Sequence, residues 1–204
     1  MKQKHIGLFG GSFDPIHLGH LNLALSILEL RNLDEVWLCP TAFNPLKPQG
    51  CRASAEDRLE MIRLAIEDVP ALKLVNIEIF KRGPSFTVDT LKQLSEIQKN
   101  EGRADRFSLI IGEDVARTFY QWLMPEEIIK YAQIFIGGRA GYFSDNEFLG
   151  SEPVVQALKL GKTEVRVMEI SSTEIRSRIA NYLYCGHLLP RKVLDYIIEH
   201  RLYC

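Results

Sequence analysis

The stretch GGSFDPIHLGH, residues 10–20, separates a short apolar run from a helical pattern of leucines. Residues 5–9 predict a buried strand, and residues 18–31 carry apolar side chains at helical spacing. In a parallel sheet, ligands bind where a strand ends beside the N-terminus of the following helix. Gly10 and Gly11 allow the backbone to approach a bound group closely. The stretch therefore predicts an anion-binding loop.

Two histidines, His17 and His20, lie at the end of this stretch. Their spacing of three places both imidazoles on one face of a helix start, where they and the backbone N–H groups form a cradle for a polyphosphate. A metal site is the alternative for such a pair, and it needs a third ligand and outer-shell partners. The glycines do not form the G-x-G-x-x-G fingerprint, so a redox enzyme that binds NAD is not favoured.

Strands and helices alternate along the whole chain. Further strands are predicted at 35–39, 72–80, 106–111, 132–136 and 163–168, with helices between them. This alternation predicts an α/β fold, a Rossmann-like doubly wound parallel sheet with helices on both faces. The helices from Ser171 onward are expected to form a C-terminal helical cap. No repeat or linker divides the sequence, so residues 1–204 are expected to form a single domain.

Composition limits the partners of the chain. Its 204 residues are 46% hydrophobic and 25% charged, with a net charge of −1, whereas a general nucleic-acid binder would need a clear basic excess. No signal-peptide core or membrane span is found, so the expected location is the cytoplasm. No C-x-x-C pair indicates zinc, and reduced thiols are expected for Cys39, Cys51, Cys185 and Cys204.

A second candidate phosphate site is the string ISSTEIR, residues 170–176, which follows the last predicted strand. Ser171 and Glu174 form a capping-box pattern, which the start of a helix explains by itself. Ser172, Thr173 and Arg176 add hydroxyl groups and a guanidinium to that helix start. Together these groups predict an anion site.

The two strings resemble signatures of the nucleotidyltransferase superfamily: the H-x-G-H of adenylyltransferases related to class I aminoacyl-tRNA synthetases, and I-S-S-T-x-I-R. The resemblance implies that both strings grip the phosphates of ATP and that the histidines stabilise the transition state. The implied catalytic residues are His17, His20 and Arg176. The implied ATP-binding residues are Gly10, Gly11, Ser12, Phe13, His17, His20, Ser172, Thr173 and Arg176.

Three further strings indicate the acceptor: NPLK at 44–47, RGPSFTVDTL at 82–91, and IGED at 111–114 with Trp122 beyond it. They resemble the bacterial nicotinate-nucleotide adenylyltransferase family. By motif position, Thr87 and Trp122 are implied to hold the pyridine ring and its carboxylate. From the residues alone, a solvated Lys47 and a core Trp122 stay open as alternatives. The implied acceptor-binding residues are Asp14, Lys47 for the acceptor phosphate, Thr87, Gly112, Asp114 for the sugar, Trp122 and Arg139.

The chain departs from the family pattern at three positions. Ser12 stands where many members have Thr, Ala140 where Arg-Pro-Gly is more usual, and Tyr182 where Gly is frequent. The first change keeps a hydroxyl group. The other two are expected to affect loop geometry more than chemistry.

The resemblance implies in-line attack by the phosphate of nicotinate mononucleotide on the α-phosphorus of ATP, giving deamido-NAD and pyrophosphate. That phosphate is anionic at pH 7, so catalysis is expected to be positioning and charge stabilisation without a general base. Mg²⁺ is expected to arrive with ATP, with no protein metal site. A related enzyme for another acceptor such as phosphopantetheine, or a non-catalytic nucleotide sensor, are the alternatives. A homo-oligomer is compatible with the sequence, and neither nucleic acid nor a membrane is an expected partner.

Overall fold

A parallel sheet is the centre of the fold. The computed structural model describes residues 3–42, 50–81, 83–139 and 148–204. Within them, six strands pair in the order β3-β2-β1-β4-β5-β6, and every pairing is parallel. The strands are β1 His5–Gly11, β2 Glu35–Pro40, β3 Leu72–Leu74, β4 Arg106–Gly112, β5 Ala132–Gly138 and β6 Lys162–Glu164.

Helices connect successive strands or follow the last one. Some of them start at a side-chain cap: the Ser54 hydroxyl accepts a hydrogen bond from the backbone N–H of Asp57, which satisfies one free donor of the first turn. The helices are α1 Leu18–Leu30, α2 Ala55–Ile66, α3 Thr87–Asn100, α4 Glu113–Ala116, α5 Pro125–Tyr131, α6 Glu152–Gly161, α7 Ser172–Ala180 and α8 Arg191–Glu199.

Both faces of the sheet are buried. Leu8 of β1 belongs to an apolar cluster with residues of α3, α5 and α6, whereas the next residue, Phe9, belongs to a cluster with residues of α1, α2, α7 and α8. Side chains alternate between the faces of a strand, so the four central strands β1, β2, β4 and β5 each contribute to both clusters. This explains the nearly continuous apolar runs of the central strands.

The predicted doubly wound sheet and its helical cap are confirmed. Ile175 of α7 and Val193 of α8 are fully buried in the cluster that also contains Met61 of α2. From β1 the chain winds outward through β2 to β3, and from β4 it winds the other way through β5 to β6. The order therefore reverses between β1 and β4, where ligands bind in sheets of this kind.

Two strands are shorter than the sequence predicts. The strand predicted at 72–80 ends at Leu74, and residues 77–80 form a turn closed by a hydrogen bond from Lys81 N to Glu78 O at 2.9 Å. The strand predicted at 163–168 pairs only as far as Glu164. Val165 N donates to the carbonyl of Gly138 at 2.9 Å, and β5 ends there, so the following residues have no strand to pair with. Apolar alternation indicates extended backbone, but it does not require a neighbouring strand.

In the described segments no helix is long and apolar enough to cross a membrane. The four cysteines form no disulfide. Cys39 and Cys185 are buried, Cys51 is half-buried and Cys204 is exposed.

Candidate active site

A cleft of about 1340 Å³ opens at the carboxyl ends of β1 and β4, at the reversal of strand order. Every described residue that the sequence places at the ATP or acceptor site lines it, and Lys47 lies outside the described residues. On the predicted ATP side these are Gly10, Gly11, Ser12, Phe13, His17, His20, Ser172, Thr173 and Arg176. On the predicted acceptor side they are Asp14, Thr87, Gly112, Asp114, Trp122 and Arg139.

The loop after β1 turns at Phe13, a non-glycine residue in the left-handed region with φ 45°. Its ring is buried and packs edge-on against Phe9 and His20, with centroids 5.5 Å and 5.0 Å away. The side chain anchors the loop in the core, which leaves the backbone to face the cleft. At Gly10 an added Cβ would meet no described atom within 4 Å, so the backbone there is open to a ligand.

His17 and His20 cap each other at the start of α1. The backbone N–H of each donates to Nδ1 of the other at 3.3 Å, and the rings stack with centroids 3.6 Å apart. Gly19 permits this arrangement, because a Cβ there would crowd Nδ1 of His17 at 3.1 Å. Since each Nδ1 accepts a hydrogen bond, each neutral imidazole carries its proton on Nε2. Nε2 is therefore the nitrogen that donates to a ligand.

Burial determines the charge of His17. The residue is 5% exposed, and burial lowers its pKa from 6.5 to about 4 because the imidazolium would lose its hydration. His17 is consequently neutral at pH 7. A neutral His17 can stabilise a phosphate by a hydrogen bond from Nε2.

The second phosphate string is joined directly to the loop after β1. Ser172 Oγ donates to the carbonyl oxygen of Pro15 at 2.9 Å, and Arg176 Nη1 donates to that of Asp14 at 2.7 Å. The two strings are over 150 residues apart in the sequence, and together they form one wall of the cleft. We call this surface the phosphate wall. Arg176 gives this wall a permanent positive charge, and its guanidinium has further N–H groups beyond those used here.

The start of α7 has the predicted cap. The hydroxyl of Ser171 accepts a hydrogen bond from the backbone N–H of Glu174 at 3.1 Å. Thr173, in the first turn, accepts one from Arg176 Nη2 at 3.1 Å, which orients the guanidinium from the helix side. The string therefore both starts the helix and positions its cation.

A buried arginine that no motif marks supports the loop from beneath. Arg58 of α2 is 2% exposed, and its Nη1 donates to the carbonyl oxygens of Ser12 and Thr41, each at 2.8 Å. It lies on the apolar face of α2 beside Met61 and Ile62. A cation at a core position of an amphipathic helix is the signal in the sequence that indicates such a residue.

Asp14 is buried, and the protein already occupies its carboxylate. Oδ2 accepts from the backbone N–H of Arg52 at 2.7 Å, and Oδ1 accepts from that of Ala53 at 3.1 Å and from Tyr203 Oη at 2.8 Å. Direct contact between Asp14 and the acceptor stays a prediction. No local pattern could have indicated Tyr203, which is 189 residues away in the sequence.

The opposite wall is the start of α3, which has no side-chain cap because the N-cap position is Phe86. The N–H groups of the first turn, which begins at Thr87, therefore offer a partial positive charge to the cleft. Behind them, Glu78 is buried and accepts from Thr90 Oγ1 at 2.5 Å. Burial raises the pKa of the Glu78 carboxyl, against the opposing effects of the Thr90 hydroxyl and Lys81.

Trp122 combines core contacts with a surface on the cleft. Its ring lies 5.1 Å from that of Phe119, and the residue packs against the apolar cluster around α3 and α5. Its indole Nε1 is buried without a hydrogen-bond partner among the described residues. Nearby, the Asp114 carboxylate folds back over the end of β4, since a Cβ on Gly112 would lie 2.7 Å from Oδ1 of Asp114.

Arg139 closes the edge of the cleft beyond β5. It is half-buried and forms an ion pair with Glu169, in the segment that leads to α7.

The cleft walls as a whole are rich in hydrogen-bond donors and helix N-termini. Among the described residues, no group of three His, Cys, Asp or Glu side chains is placed to hold a metal ion. This donor-rich surface suits an anionic ligand.

Residues 8–178 of the chain match the Cytidylyltransferase-like family. The chain is 34% identical to the nicotinate-nucleotide adenylyltransferase of Bacillus subtilis, over 98% of both proteins. It is 36% identical to a Flavobacterium johnsoniae protein named probable nicotinate-nucleotide adenylyltransferase, over 97% of this chain and 98% of that protein.

The fold is also similar to a solved structure, the nicotinic acid mononucleotide adenylyltransferase of Plasmodium falciparum complexed with NaAD. The TM-score is 0.73 at 20% sequence identity, and the alignment covers 98% of both chains.

Proposed function

The chain belongs to the nicotinate-nucleotide adenylyltransferases, within the cytidylyltransferase-like family, and we propose that it transfers AMP from ATP to nicotinate mononucleotide. The products are deamido-NAD and pyrophosphate. The proposal rests chiefly on one observation, that His17, His20 and Arg176 lie on a single wall of the cleft. The two histidines hold each other through their reciprocal caps, and the carbonyl oxygen of Asp14 holds Arg176.

On this wall the triphosphate of ATP receives hydrogen bonds from Nε2 of His17 and His20. Arg176 adds charge, and Ser172 and Thr173 add hydroxyl groups at the start of α7. In the loop after β1, the backbone at Gly10 is open, so a phosphate of ATP can approach it closely. The side chain of Phe13 is buried, so this residue contributes to ATP binding through its backbone.

The acceptor lies on the opposite wall. The uncapped start of α3 at Thr87 receives the carboxylate of nicotinate, because an anion is favoured at a helix N-terminus. The indole of Trp122 packs against the pyridine ring, and its unpaired Nε1 is a donor for a polar group of the acceptor. Asp114 contacts the sugar, and Arg139 and Lys47 contribute positive charge.

The reaction needs no proton transfer from the protein. An oxygen of the acceptor phosphate forms a bond to the α-phosphorus, and the bond from that phosphorus to the bridging oxygen of pyrophosphate breaks. Because the attacking phosphate is already anionic, no side chain has to remove a proton. The residues of the phosphate wall stabilise the charge that develops on the phosphate oxygens.

Mg²⁺ enters as part of the MgATP substrate. Among the described residues no group of three His, Cys, Asp or Glu side chains could hold the ion, so phosphate oxygens and water are the ligands that fit it. It neutralises charge on the departing pyrophosphate.

A panel of acceptors tests this proposal. Pyrophosphate release from MgATP is measured with nicotinate mononucleotide, nicotinamide mononucleotide and phosphopantetheine, and without acceptor. The proposal predicts the highest kcat/KM for nicotinate mononucleotide. Preferred use of phosphopantetheine would assign the chain a different acceptor. ATP binding without pyrophosphate release from any acceptor would favour a nucleotide sensor.

A further inference from the structure

The segment after α8 returns to the catalytic loop through an unusual backbone path. Arg201 and Tyr203 both lie in the left-handed region, with φ of 51° and 65°, although neither is glycine. Between them, Leu202 N donates to Ile197 O at 3.0 Å. Left-handed non-glycine residues are unfavourable, so contacts elsewhere must hold this turn. The turn directs the Tyr203 side chain toward the loop after β1.

Tyr203 meets that loop at a buried carboxylate. Its hydroxyl donates to Oδ1 of Asp14 at 2.8 Å, and Asp14 is 4% exposed. Burial and the neighbouring carboxylate raise the pKa of Tyr203, so the hydroxyl stays protonated and remains a donor. The backbone N–H groups of Arg52 and Ala53 hold the same carboxylate from another side.

Asp14 in turn locates the cation of the phosphate wall. Its carbonyl oxygen accepts from Arg176 Nη1 at 2.7 Å, and its Oδ2 lies 3.9 Å from the same nitrogen. The side chain of Asp14 is thus fixed by Tyr203, while its backbone fixes Arg176. A shift of Asp14 would move the guanidinium relative to the phosphates.

We propose that Tyr203 is a positioning residue, which acts through Asp14 to hold Arg176 at the phosphate wall. This inference rests on the proposed function of Arg176. Tyr203 does not line the cleft. Loss of Tyr203 should therefore weaken stabilisation of the transition state, because small displacements of a charge-stabilising group reduce kcat more than they reduce substrate binding.

The chain supplies a matched control. Tyr196 of α8 donates to Oδ1 of Asp57 at 2.9 Å, which is the same pair of residue types in the same region of the chain. Asp57 belongs to α2 and does not line the cleft. Tyr203→Phe and Tyr196→Phe therefore each remove one hydroxyl that donates to an aspartate, and only the first removes a contact to the loop after β1.

The test is a double-mutant cycle on kcat, with MgATP and nicotinate mononucleotide at saturation. Tyr203→Phe is expected to lower kcat about tenfold, consistent with losing a hydrogen bond to a charged group. The KM for nicotinate mononucleotide should stay within about twofold. Tyr196→Phe should leave kcat near that of the wild type. In an Arg176→Ala background, Tyr203→Phe should have little further effect, because the residue through which it acts is gone.

The thermal unfolding midpoint of each variant is measured first. All assays are then run well below the lowest midpoint, so that only folded proteins are compared. Unchanged kcat in Tyr203→Phe, an equal loss in Tyr196→Phe, or an undiminished loss in the Arg176→Ala background would each overturn the positioning role. Wild-type protein that forms no deamido-NAD would instead refute the proposed function, so the two failures are distinguishable.

Discussion

The backbone N–H groups of His17 and His20 each donate to the other residue's Nδ1, so the two side chains form a reciprocal cap at the start of α1. The hydrogen bonds that complete the helix also fix both tautomers. These bonds make Nε2 the donor nitrogen of each neutral ring. Under the proposed function, the same two side chains serve both helix capping and phosphate binding.

This double role predicts different results for two changes at His17. Asn at this position keeps an acceptor for the N-cap but cannot place a donor where Nε2 lies. His17→Asn should therefore lower kcat by about 10²–10³ with a nearly unchanged free energy of unfolding at pH 7. His17→Ala should lose the cap as well, at a further cost of about 1 kcal/mol in stability. Steady-state kinetics and urea unfolding of both variants separate the roles, and wild-type turnover in His17→Asn would assign the histidine a structural role only.

Burial of His17 predicts a loss of stability in mild acid. The unfolded chain binds a proton at this residue near pH 6.5, whereas the folded protein does so only near pH 4. The folded state is thus disfavoured as the pH falls through this interval, by up to about 3 kcal/mol. Urea unfolding at several pH values should show a smaller decline for His17→Asn than for the wild type. Parallel curves would mean that His17 is not the group responsible.

Glu78 predicts a pH effect of the opposite sign. Burial raises its pKa above the ordinary value of 4.5, so the charged carboxylate is less favourable in the folded protein than in the unfolded chain. The stability associated with the neutral carboxyl is present in acid and is lost as the pH rises through the folded-state pKa. Glu78→Gln keeps an oxygen for the Thr90 hydroxyl and should gain stability relative to the wild type as the pH rises above 4.5. Chemical denaturation across this pH range measures the free energy of unfolding of both proteins. A difference between them that does not change with pH would contradict the prediction.

The core contacts of Trp122 and its proposed contact with the pyridine ring predict separable effects of its replacement. Loss of a stacking contact worth about 1–3 kcal/mol should raise the KM for nicotinate mononucleotide roughly 5- to 150-fold in Trp122→Ala. The KM for ATP should change little, because the proposed ATP site is on the other wall. Trp122→Phe retains packing against Phe119 and should fall between the alanine variant and the wild type. A joint rise of both KM values with a large loss of stability would identify Trp122 as a core residue.

Local patterns predicted the parts of the site that are local. The stretch 10–20 contains its own turn, cap and histidine pair, and the Ser171 cap lies within one helical turn, so spacing was enough to indicate both. The contacts between them were not predictable from spacing. Tyr203 reaches Asp14 across 189 residues, and only the folded chain brings them together. The strand predicted at 72–80 was wrong for a related reason, since pairing depends on a neighbour that the local sequence does not contain.

A pair of isotopic labels shows whether the α-phosphorus of ATP moves to the acceptor, as adenylyl transfer requires. The wild-type protein is incubated with Mg²⁺, nicotinate mononucleotide and ATP that carries ³²P at either the α or the γ position, and the products are separated by chromatography. We expect the α-label in deamido-NAD and the γ-label in pyrophosphate. Label from the γ position in the acceptor, or in free inorganic phosphate, would contradict adenylyl transfer.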